Sequence, residues 1–423
     1  MRGVLSGLTT RGRCLLAAGI AAALCSAVLN ERDLLRVGAF VIALPIVASL
    51  YAASARIGLA AVRTLLPPRV SVDSSVEVHL EVHGGPHVPA GGLLLEDGVP
   101  YALGSKPRFV VERLHRNAIT NLRYPLRPVL RGVHQVGPVT AKITDPFGLA
   151  EFERTLGGHS RLIVAPKVVP LSGVPGGTGL GSGDNGMVRL RTGQGDDDAV
   201  IRPYRHGDDL RKVHWRSTAK RDELMVRVEE RPWHGGTTVL LDRRSAAHRG
   251  SGVASSLEWA VSLAASVCLH LHRHGHHVRL ATEDGRVLAG GTADGGHSDA
   301  NVLDALAAVQ PSHRRDLVCG TDPGIGEELI AVLGAATPTA VAELMRYRPR
   351  NARSLAVLLD VTAWAVASEE SGTDSEAAAG LLRGAGWGVV VARPDQSIDA
   401  VWAELCRRGA GRFSARVGEA GLV

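Results

Sequence analysis

The chain has 423 residues, which is long enough for two or three domains that each bury their own core. Lys and Arg number 48 against 42 Asp and Glu, and a net charge of +6 spread over this length gives no reason to expect a polyanionic partner. Aromatic residues make up only 4% of the chain, which argues against a base-stacking surface, and the five cysteines include no CxxC pair that would predict a zinc site.

Two charge-free apolar runs near the N-terminus predict a helical hairpin in a membrane. They cover Cys14–Leu29 and Val37–Ala55, and each is about as long as a bilayer requires. Arginines flank the outer ends of the pair, whereas acidic residues offset the arginines in the short connection, so the positive-inside rule places both termini in the cytoplasm. We therefore predict a multi-pass plasma-membrane protein with a two-helix transmembrane hairpin at residues 1–63. The alternative is a signal peptide cleaved near Ala27, which the second apolar run disfavours.

Residues 69–170 show short alternating apolar runs separated by Gly, Pro and Asp, a pattern typical of an all-β sandwich. The segment Asp145–Leu149, with the sequence DPFGL, has the chemistry of a turn between two of these strands. Residues 171–198 are rich in Gly, Ser and Asp, which is typical of a linker.

From residue 237 to residue 423, strand and helix patterns alternate in the manner of an open, mostly parallel α/β sheet. Asp242 ends the apolar run TTVLLD, and Asp360 ends the run SLAVLLD. Ligands of such sheets gather at the carboxyl ends of the strands, so these two acids are candidate ligand-binding residues.

Between the linker and the α/β domain lies a signature segment, residues 199–236, dense in charged residues. Its basic and acidic residues alternate and nearly cancel, which argues against binding to nucleic acid. We interpret the segment as a clasp of Arg–carboxylate pairs that also offers a docking surface, with the Trp215 ring buried and LMVRVEE forming an edge strand that leads into the α/β sheet. The candidate signature and docking residues are Arg202, Tyr204, Gly207, Asp208, Arg211, His214, Trp215, Arg227 and Glu229.

These residues, in this order and spacing, resemble the family catalogued as domain of unknown function 58, and the resemblance extends to the DPFGL segment and the paired N-terminal helices. The resemblance implies a membrane-anchored protein with a von Willebrand factor A-like α/β domain, often encoded beside a MoxR-type AAA ATPase. It implies no agreed biochemical activity.

A von Willebrand A domain binds a divalent metal through Asp-x-Ser-x-Ser, aided by a second acid. Here Asp242 matches the first acid and Asp360 the second by its place after a core strand, but Arg244 and Ala246 replace the two serines. Asp242 and Asp360 are thus the candidate ligands of a degraded Mg²⁺ site, and no other cofactor is expected.

We expect a non-enzymatic membrane scaffold or adaptor that contacts a MoxR-type AAA ATPase, in a process such as cell-envelope assembly. Two alternatives remain open. One is a metal-dependent protein-binding module that uses Asp242 and Asp360. The other is a hydrolase in which Asp208 orients His214 as a general base, although the segment offers no recognisable nucleophile. The sequence does not fix the oligomeric state.

Overall fold

The structure is a computed structural model that describes residues 7–54, 59–84, 93–111, 118–145, 147–175, 199–203, 215–221, 223–229, 234–290, 299–318, 328–347, 353–365 and 374–419. The chain forms two compact units. Unit 1 comprises residues 1–167 and 303–309, and unit 2 comprises residues 168–302 and 310–423.

Unit 1 begins with two antiparallel helices, α1 (Thr10–Leu29) and α2 (Arg32–Ser54). Both are long and apolar enough to cross a membrane. The helix α1 starts four residues before the apolar run because the Thr9 side chain accepts a hydrogen bond from the Gly12 backbone N–H, which caps the helix upstream of its arginines. The helices approach closely where Gly19 faces Ile42, since a Cβ on that glycine would lie 2.8 Å from the isoleucine side chain.

The rest of unit 1 is built of β-strands in three sheets. Their orders are β1-β3-β6, β2-β10-β7 and β5-β4-β8-β9, and the first sheet contributes buried residues to the cores it shares with each of the other two. The first strand lies within the residues assigned to the hairpin, so the β region begins earlier than predicted. The strands are β1 (Ala60–Leu66), β2 (Arg69–Ser71), β3 (Val76–His83), β4 (Leu93–Asp97), β5 (Arg108–Val111), β6 (Ile119–Leu126), β7 (Gly132–Val136), β8 (Val139–Thr144), β9 (Glu151–Thr155) and β10 (Ser160–Ala165).

A buried ion pair joins the sheets of unit 1. The Arg63 guanidinium on β1 pairs with the Asp97 carboxylate at the end of β4 and also donates to the Val136 carbonyl, 2.7 Å away. The Tyr124 hydroxyl donates to Asp97 at 2.5 Å. Burial raises the pKa of Tyr124 well above its usual range, and the hydrogen bond to Asp97 raises it further. The interior of this unit is therefore fixed by directed polar contacts as well as by aliphatic packing.

Unit 2 contains a six-stranded sheet of order β15-β14-β13-β16-β17-β18, in which all neighbours are parallel except β14 and β15. This is the mostly parallel open sheet that the sequence predicts. Its strands are β13 (His234–Leu241), β14 (His276–Thr282), β15 (Val287–Ala289), β16 (Glu328–Leu333), β17 (Arg353–Leu359) and β18 (Gly388–Ala392). The helices along this part of the chain are α4 (Ser256–Arg273), α5 (Asp299–Ala307), α6 (Pro338–Arg346), α7 (Ser375–Gly384) and α8 (Ile398–Glu419).

The central strand β16 was not predicted. Its sequence, ELIAVL, contains an apolar run of five residues after Glu328, which is too short for periodicity to distinguish a strand from part of a helix. The strand lies beside β13, so the order of the sheet reverses between these two strands, and their carboxyl ends border the switch point where open α/β sheets bind ligands.

The signature segment forms a separate antiparallel pair of strands, β11 (Ala199–Pro203) and β12 (Met225–Glu229), with the short helix α3 (Trp215–Arg221) between them in sequence. The expectation that LMVRVEE is an edge strand of the α/β sheet is wrong. The upstream run AVIRP supplies its hydrogen-bonding partner instead.

Position 334, directly after β16, requires glycine because two backbone segments approach each other closely there. A Cβ there would lie 2.1 Å from the Ala247 carbonyl oxygen, whereas a Cβ on Gly380 in α7 would meet nothing within 4 Å. We therefore expect Gly334→Ala to lower the free energy of unfolding by about 1–3 kcal/mol through overpacking. Gly380→Ala should instead raise it by up to about 1 kcal/mol, because alanine favours the helix.

Thermal unfolding of the full-length protein in detergent micelles, followed by circular dichroism, measures both changes. Equal midpoints for the two variants would contradict the close approach at Gly334.

Candidate functional site

The candidate site lies at the carboxyl edge of the six-stranded sheet, at its switch point. Asp242 directly follows β13, and its backbone N–H donates to the Val332 carbonyl of the neighbouring strand β16 at 2.9 Å. The site is therefore where the sequence places the first candidate metal ligand, and the Asp242 side chain is fully buried there.

The Arg244 guanidinium binds both oxygens of the Asp242 carboxylate. Arg244 Nε donates to Asp242 Oδ1 at 2.9 Å, and Arg244 Nη2 donates to Asp242 Oδ2 at 2.8 Å, so the pair is bidentate. The backbone N–H groups of Arg244 and Gly334 add bonds of 3.0 and 3.3 Å to the same two oxygens. Each carboxylate oxygen thus accepts two hydrogen bonds from the protein itself.

The rest of the Arg244 guanidinium is also bonded. Nη1 donates to the Arg315 carbonyl at 3.1 Å, and Nη2 donates to the Ala335 carbonyl at 3.3 Å. Burial alone would lower the pKa of Arg244, but the hydrogen bond and the charge of Asp242 raise it overall. The cation is therefore held in its charged form and links β13 to the chain segments at residues 315 and 335.

A second arginine–carboxylate group borders the first. The Arg243 backbone N–H donates to Glu283 Oε2 at 3.3 Å, and Arg243 Nη2 donates to Asp284 Oδ2 at 3.0 Å. Burial raises the pKa of Glu283 above its usual value, although the charge of Arg243 opposes the change. For Asp284, burial also acts to raise the pKa, but hydrogen bonds led by that from Thr282 lower it overall. Arg243 at this edge of the sheet thus lies beside side chains of opposite charge, as Arg244 does.

A Ser–His pair lies behind the ion pair. His248 Nδ1 is 3.0 Å from Ser256 Oγ, and its Nε2 is 2.8 Å from the Asp242 carbonyl oxygen. Burial lowers the pKa of His248, which favours the neutral imidazole. Because Ser256 has no exposed surface and also accepts from the Arg249 backbone N–H, this pair is closed to a substrate and connects the strand end to the start of α4.

Asp360, the second candidate metal ligand, has different neighbours. Its carboxylate accepts from Thr362 Oγ1 at 2.6 Å and lies 3.3 Å from Arg393 Nε. It lines a polar cleft of about 510 Å³ in which Arg383 pairs with Glu376 and Arg408 with Glu404. Asp242 therefore belongs to a closed network, whereas Asp360 borders an open cleft.

The donors around Asp242 do not fit a divalent cation. Mg²⁺ prefers an octahedron of oxygen ligands, and here a positively charged side chain takes both carboxylate oxygens. Among the described residues there is no cluster of three or more His, Cys, Asp or Glu side chains that could hold a metal ion. The Mg²⁺ site at Asp242 and Asp360 stays a prediction, and the geometry of Asp242 argues against it.

The docking residues of the signature segment are only partly covered by the structure. Tyr204, Gly207, Asp208, Arg211 and His214 lie outside the described residues, so the expected clasp and the general-base role of His214 stay predictions.

The remaining signature residues lie on the two strands and on α3. Ile201 is opposite Arg227, Arg202 is opposite Val226, and Ala199 is opposite Glu229 in the β11–β12 ladder.

Trp215, the first residue of α3, is 71% exposed. The expectation that its ring is buried is therefore wrong. The helix itself is anchored, since the Met225 backbone N–H donates to Thr218 Oγ1 at 3.0 Å and Met225 is fully buried. The indole is thus displayed on a fixed support.

Sequence reasoning missed the part that Arg244 plays. The sequence identified Arg244 only as the replacement of a metal-binding serine, whereas the i, i+2 spacing after a strand end lets its guanidinium fold back onto Asp242. A buried acid followed two residues later by arginine is the signal that could have indicated the pair.

Removing one partner of this ion pair should be far more harmful than removing both. We expect Arg244→Met to lower the free energy of unfolding by about 3–5 kcal/mol, because it leaves the Asp242 charge buried without a counter-ion. The double variant Asp242→Asn/Arg244→Met should lose clearly less than the sum of the two single changes. The matched control is Arg393→Met, which removes a 63% exposed arginine that also pairs with an aspartate after a strand, at a cost below about 1 kcal/mol. Additive single effects in unfolding experiments would show that the pair is not coupled.

Divalent metal should leave the native protein unchanged. Because Arg244 already neutralises Asp242, adding MgCl₂ or MnCl₂ should not shift the unfolding midpoint of the wild type. Arg244→Ser vacates the carboxylate and supplies a hydroxyl, so this variant should be stabilised by Mg²⁺, and Asp242→Asn/Arg244→Ser should lose that effect. A metal-dependent rise in the wild-type midpoint would overturn this interpretation.

No curated protein matches the chain. Among solved structures, the chain is similar to the CARDB domain of a Pyrococcus furiosus protein in complex with di-metal ions, at 15% identity and a TM-score of 0.18, with 26% of this chain and 93% of that chain covered. A family profile described as "Protein of unknown function DUF58" matches residues 200–322, which include the signature segment and the Asp242–Arg244 pair. A DUF58 domain is therefore present at residues 200–322.

Proposed function

We propose that this protein is a membrane-anchored, non-enzymatic adaptor that acts through protein–protein contacts. The observation that carries the proposal is the closed switch point, where the position that binds ligands in open α/β sheets is filled by the chain's own arginine. A site that is fully paired and buried stabilises a fold and leaves no room for a substrate.

The two N-terminal helices support the anchoring. Each is long and apolar enough to span a bilayer, and the arginine distribution supports a topology in which both ends of the pair, with everything that follows, lie in the cytoplasm. The adaptor would then face the cytoplasm at the plasma membrane.

The exposure of Trp215 supports action through protein–protein contacts. Tryptophan is enriched among residues that dominate protein interfaces, and an indole exposed on a supported helix can bind without a large ordering cost. The proposed partner is a MoxR-type AAA ATPase, and the resemblance of the signature segment to its family supports this choice. Cell-envelope assembly is the proposed setting.

The strand order of unit 2 supports a von Willebrand A-like domain. Numbered in sequence, the six strands lie in the order 3-2-1-4-5-6, with the third antiparallel at the edge, which is the doubly wound arrangement expected of such a domain. Such a domain would here use its surface, and not a metal, for contact.

The alternative function, a hydrolase that uses His214 and Asp208, can be tested separately. If His214→Ala leaves the unfolding midpoint unchanged yet abolishes a measured turnover, the protein is an enzyme and the adaptor proposal fails.

Site-specific photocrosslinking tests the docking surface. We expect p-benzoylphenylalanine at position 215 to form an adduct with an AAA ATPase in membranes of the native cell, because Trp215 lies at the contact. The matched control is the same residue at position 101, where Tyr101 is 94% exposed in unit 1. Mass spectrometry identifies the adducts.

Trp215→Ala supplies the second measurement. Because the ring is exposed, the substitution should change the free energy of unfolding by less than about 0.5 kcal/mol while it reduces capture of the ATPase. Adducts at position 215 that contain no ATPase would contradict the proposed partner.

A further inference from the structure

The DPFGL segment is fastened to the beginning of the first apolar helix. The Thr9 backbone N–H donates to the Leu149 carbonyl at 2.9 Å, and the Thr9 hydroxyl donates to the Gly148 carbonyl at 2.8 Å. Leu8 and Ala150 form an antiparallel bridge, and both are buried. The residue that caps α1 is thus bonded to a turn almost 140 residues later in the chain.

The contact is too close for side chains at two glycines of the N-terminal segment. A Cβ on Gly12 would lie 2.2 Å from the Leu149 carbonyl oxygen, and a Cβ on Gly7 would lie 2.4 Å from the Phe152 ring. The Glu151 backbone N–H also donates to the Gly7 carbonyl at 2.7 Å. Backbone therefore meets backbone along this junction, and the position of the turn relative to the helix is fixed.

The turn is rigid by its own hydrogen bonds. The Asp145 carboxylate accepts from the backbone N–H groups of Phe147, at 2.9 Å, and Ala150, at 2.5 Å, and is itself buried. Gly148 adopts a φ of +69°, which other residues rarely adopt. This turn displays Phe147, whose surface is 67% exposed.

The depth of the DPFGL turn relative to a bilayer follows from its position along α1. Leu149 contacts Gly12, which precedes the first residue of the apolar run, Cys14, by two positions, or about 3 Å along a helix. The headgroup layer of a bilayer is roughly 5–8 Å thick on each side of the hydrocarbon core. If α1 spans a membrane from Cys14, the turn lies in the headgroup layer, beside Arg11 and Arg13 in the first turn of the helix.

We propose that Phe147 inserts into the headgroup–acyl boundary of the membrane and so seats the β-sheets of unit 1 on the bilayer. Phenylalanine is among the residues that interfacial segments bury at this depth, and the neighbouring arginines attract anionic lipids. The partner of this surface is the lipid bilayer itself. The inference rests on the membrane anchoring proposed above.

Photocrosslinking to lipid tests the insertion. The full-length protein is reconstituted into phosphatidylcholine vesicles, with and without phosphatidylglycerol, and carries p-benzoylphenylalanine at one of three positions. Position 147 is the test, position 101 is the solvent-exposed control in the same unit, and position 24 is the reference within α1, where Leu24 is 65% exposed. We expect lipid adducts at positions 147 and 24 and at least tenfold fewer at position 101.

The outcomes separate the two proposals. Lipid adducts at position 24 without adducts at position 147 would overturn the insertion of Phe147 and leave the membrane anchor intact. Absence of lipid adducts at position 24 would overturn the anchor, and the insertion with it. A protein adduct at position 147 in native membranes, with no lipid adduct in vesicles, would assign this surface to a protein partner instead and would also overturn the proposal.

Discussion

The bidentate pair between Arg244 and Asp242 determines what the carboxyl edge of the six-stranded sheet can do. Both side chains are almost completely buried, and the free energy of removing two charges from water is recovered only when nearly every donor and acceptor is bonded. That condition is met, because Asp242 also accepts from two backbone N–H groups and Arg244 also donates to two carbonyls. The ion pair thereby joins three stretches of chain, at residues 242–244, 315 and 334–335, that a divalent cation could join only by recruiting oxygen ligands from each. The switch point becomes a structural junction, and any contact with a partner has to be made elsewhere on the surface.

Each unit depends on one such pair. In unit 1, Arg63 pairs with Asp97 and donates to a backbone carbonyl. The Tyr124 hydroxyl donates a further hydrogen bond to the Asp97 carboxylate. Aromatic residues make up only 4% of the chain, so both cores consist chiefly of Ala, Val and Leu, which pack well but in many interchangeable ways. A buried charge pair tolerates few alternative arrangements because each of them leaves a charge without a partner. The two pairs therefore add directed polar contacts to cores that consist otherwise of small aliphatic side chains.

The sequence was most informative where a regular pattern extends over many residues. The two apolar runs predicted the helices, but both helices start before the runs. The start of α1 was missed because the Thr9 cap depends on one hydroxyl and not on the apolar pattern. Alternating strand and helix patterns predicted the parallel sheet, but they did not predict β16, because its run of five apolar residues is too short to show a period. The site was harder to predict. Asp242 was found from its position after a strand, whereas its partnership with Arg244 depends on how a side chain folds back in three dimensions. The exposure of Trp215 likewise depends on which residues pack around it in three dimensions, which the residue type alone does not indicate.

The β-sheets of unit 1 are joined to the helix pair both covalently and through hydrogen bonds, and this limits how the sheets can move. The chain passes from the end of α2 at Ser54 to β1 at Ala60 within a few residues, which is the covalent connection. The second connection is non-covalent and lies at the other helix, where the turn of Asp145–Leu149 bonds to Thr9. A single short connection would leave the sheets free to rotate about it. Two connections to neighbouring antiparallel helices remove most of that freedom, since rotation about one would break the hydrogen bonds at the other. If the helices span a membrane, this part of the protein is consequently held in one orientation relative to the bilayer, which lowers the entropic cost of binding a partner that is also held at the membrane.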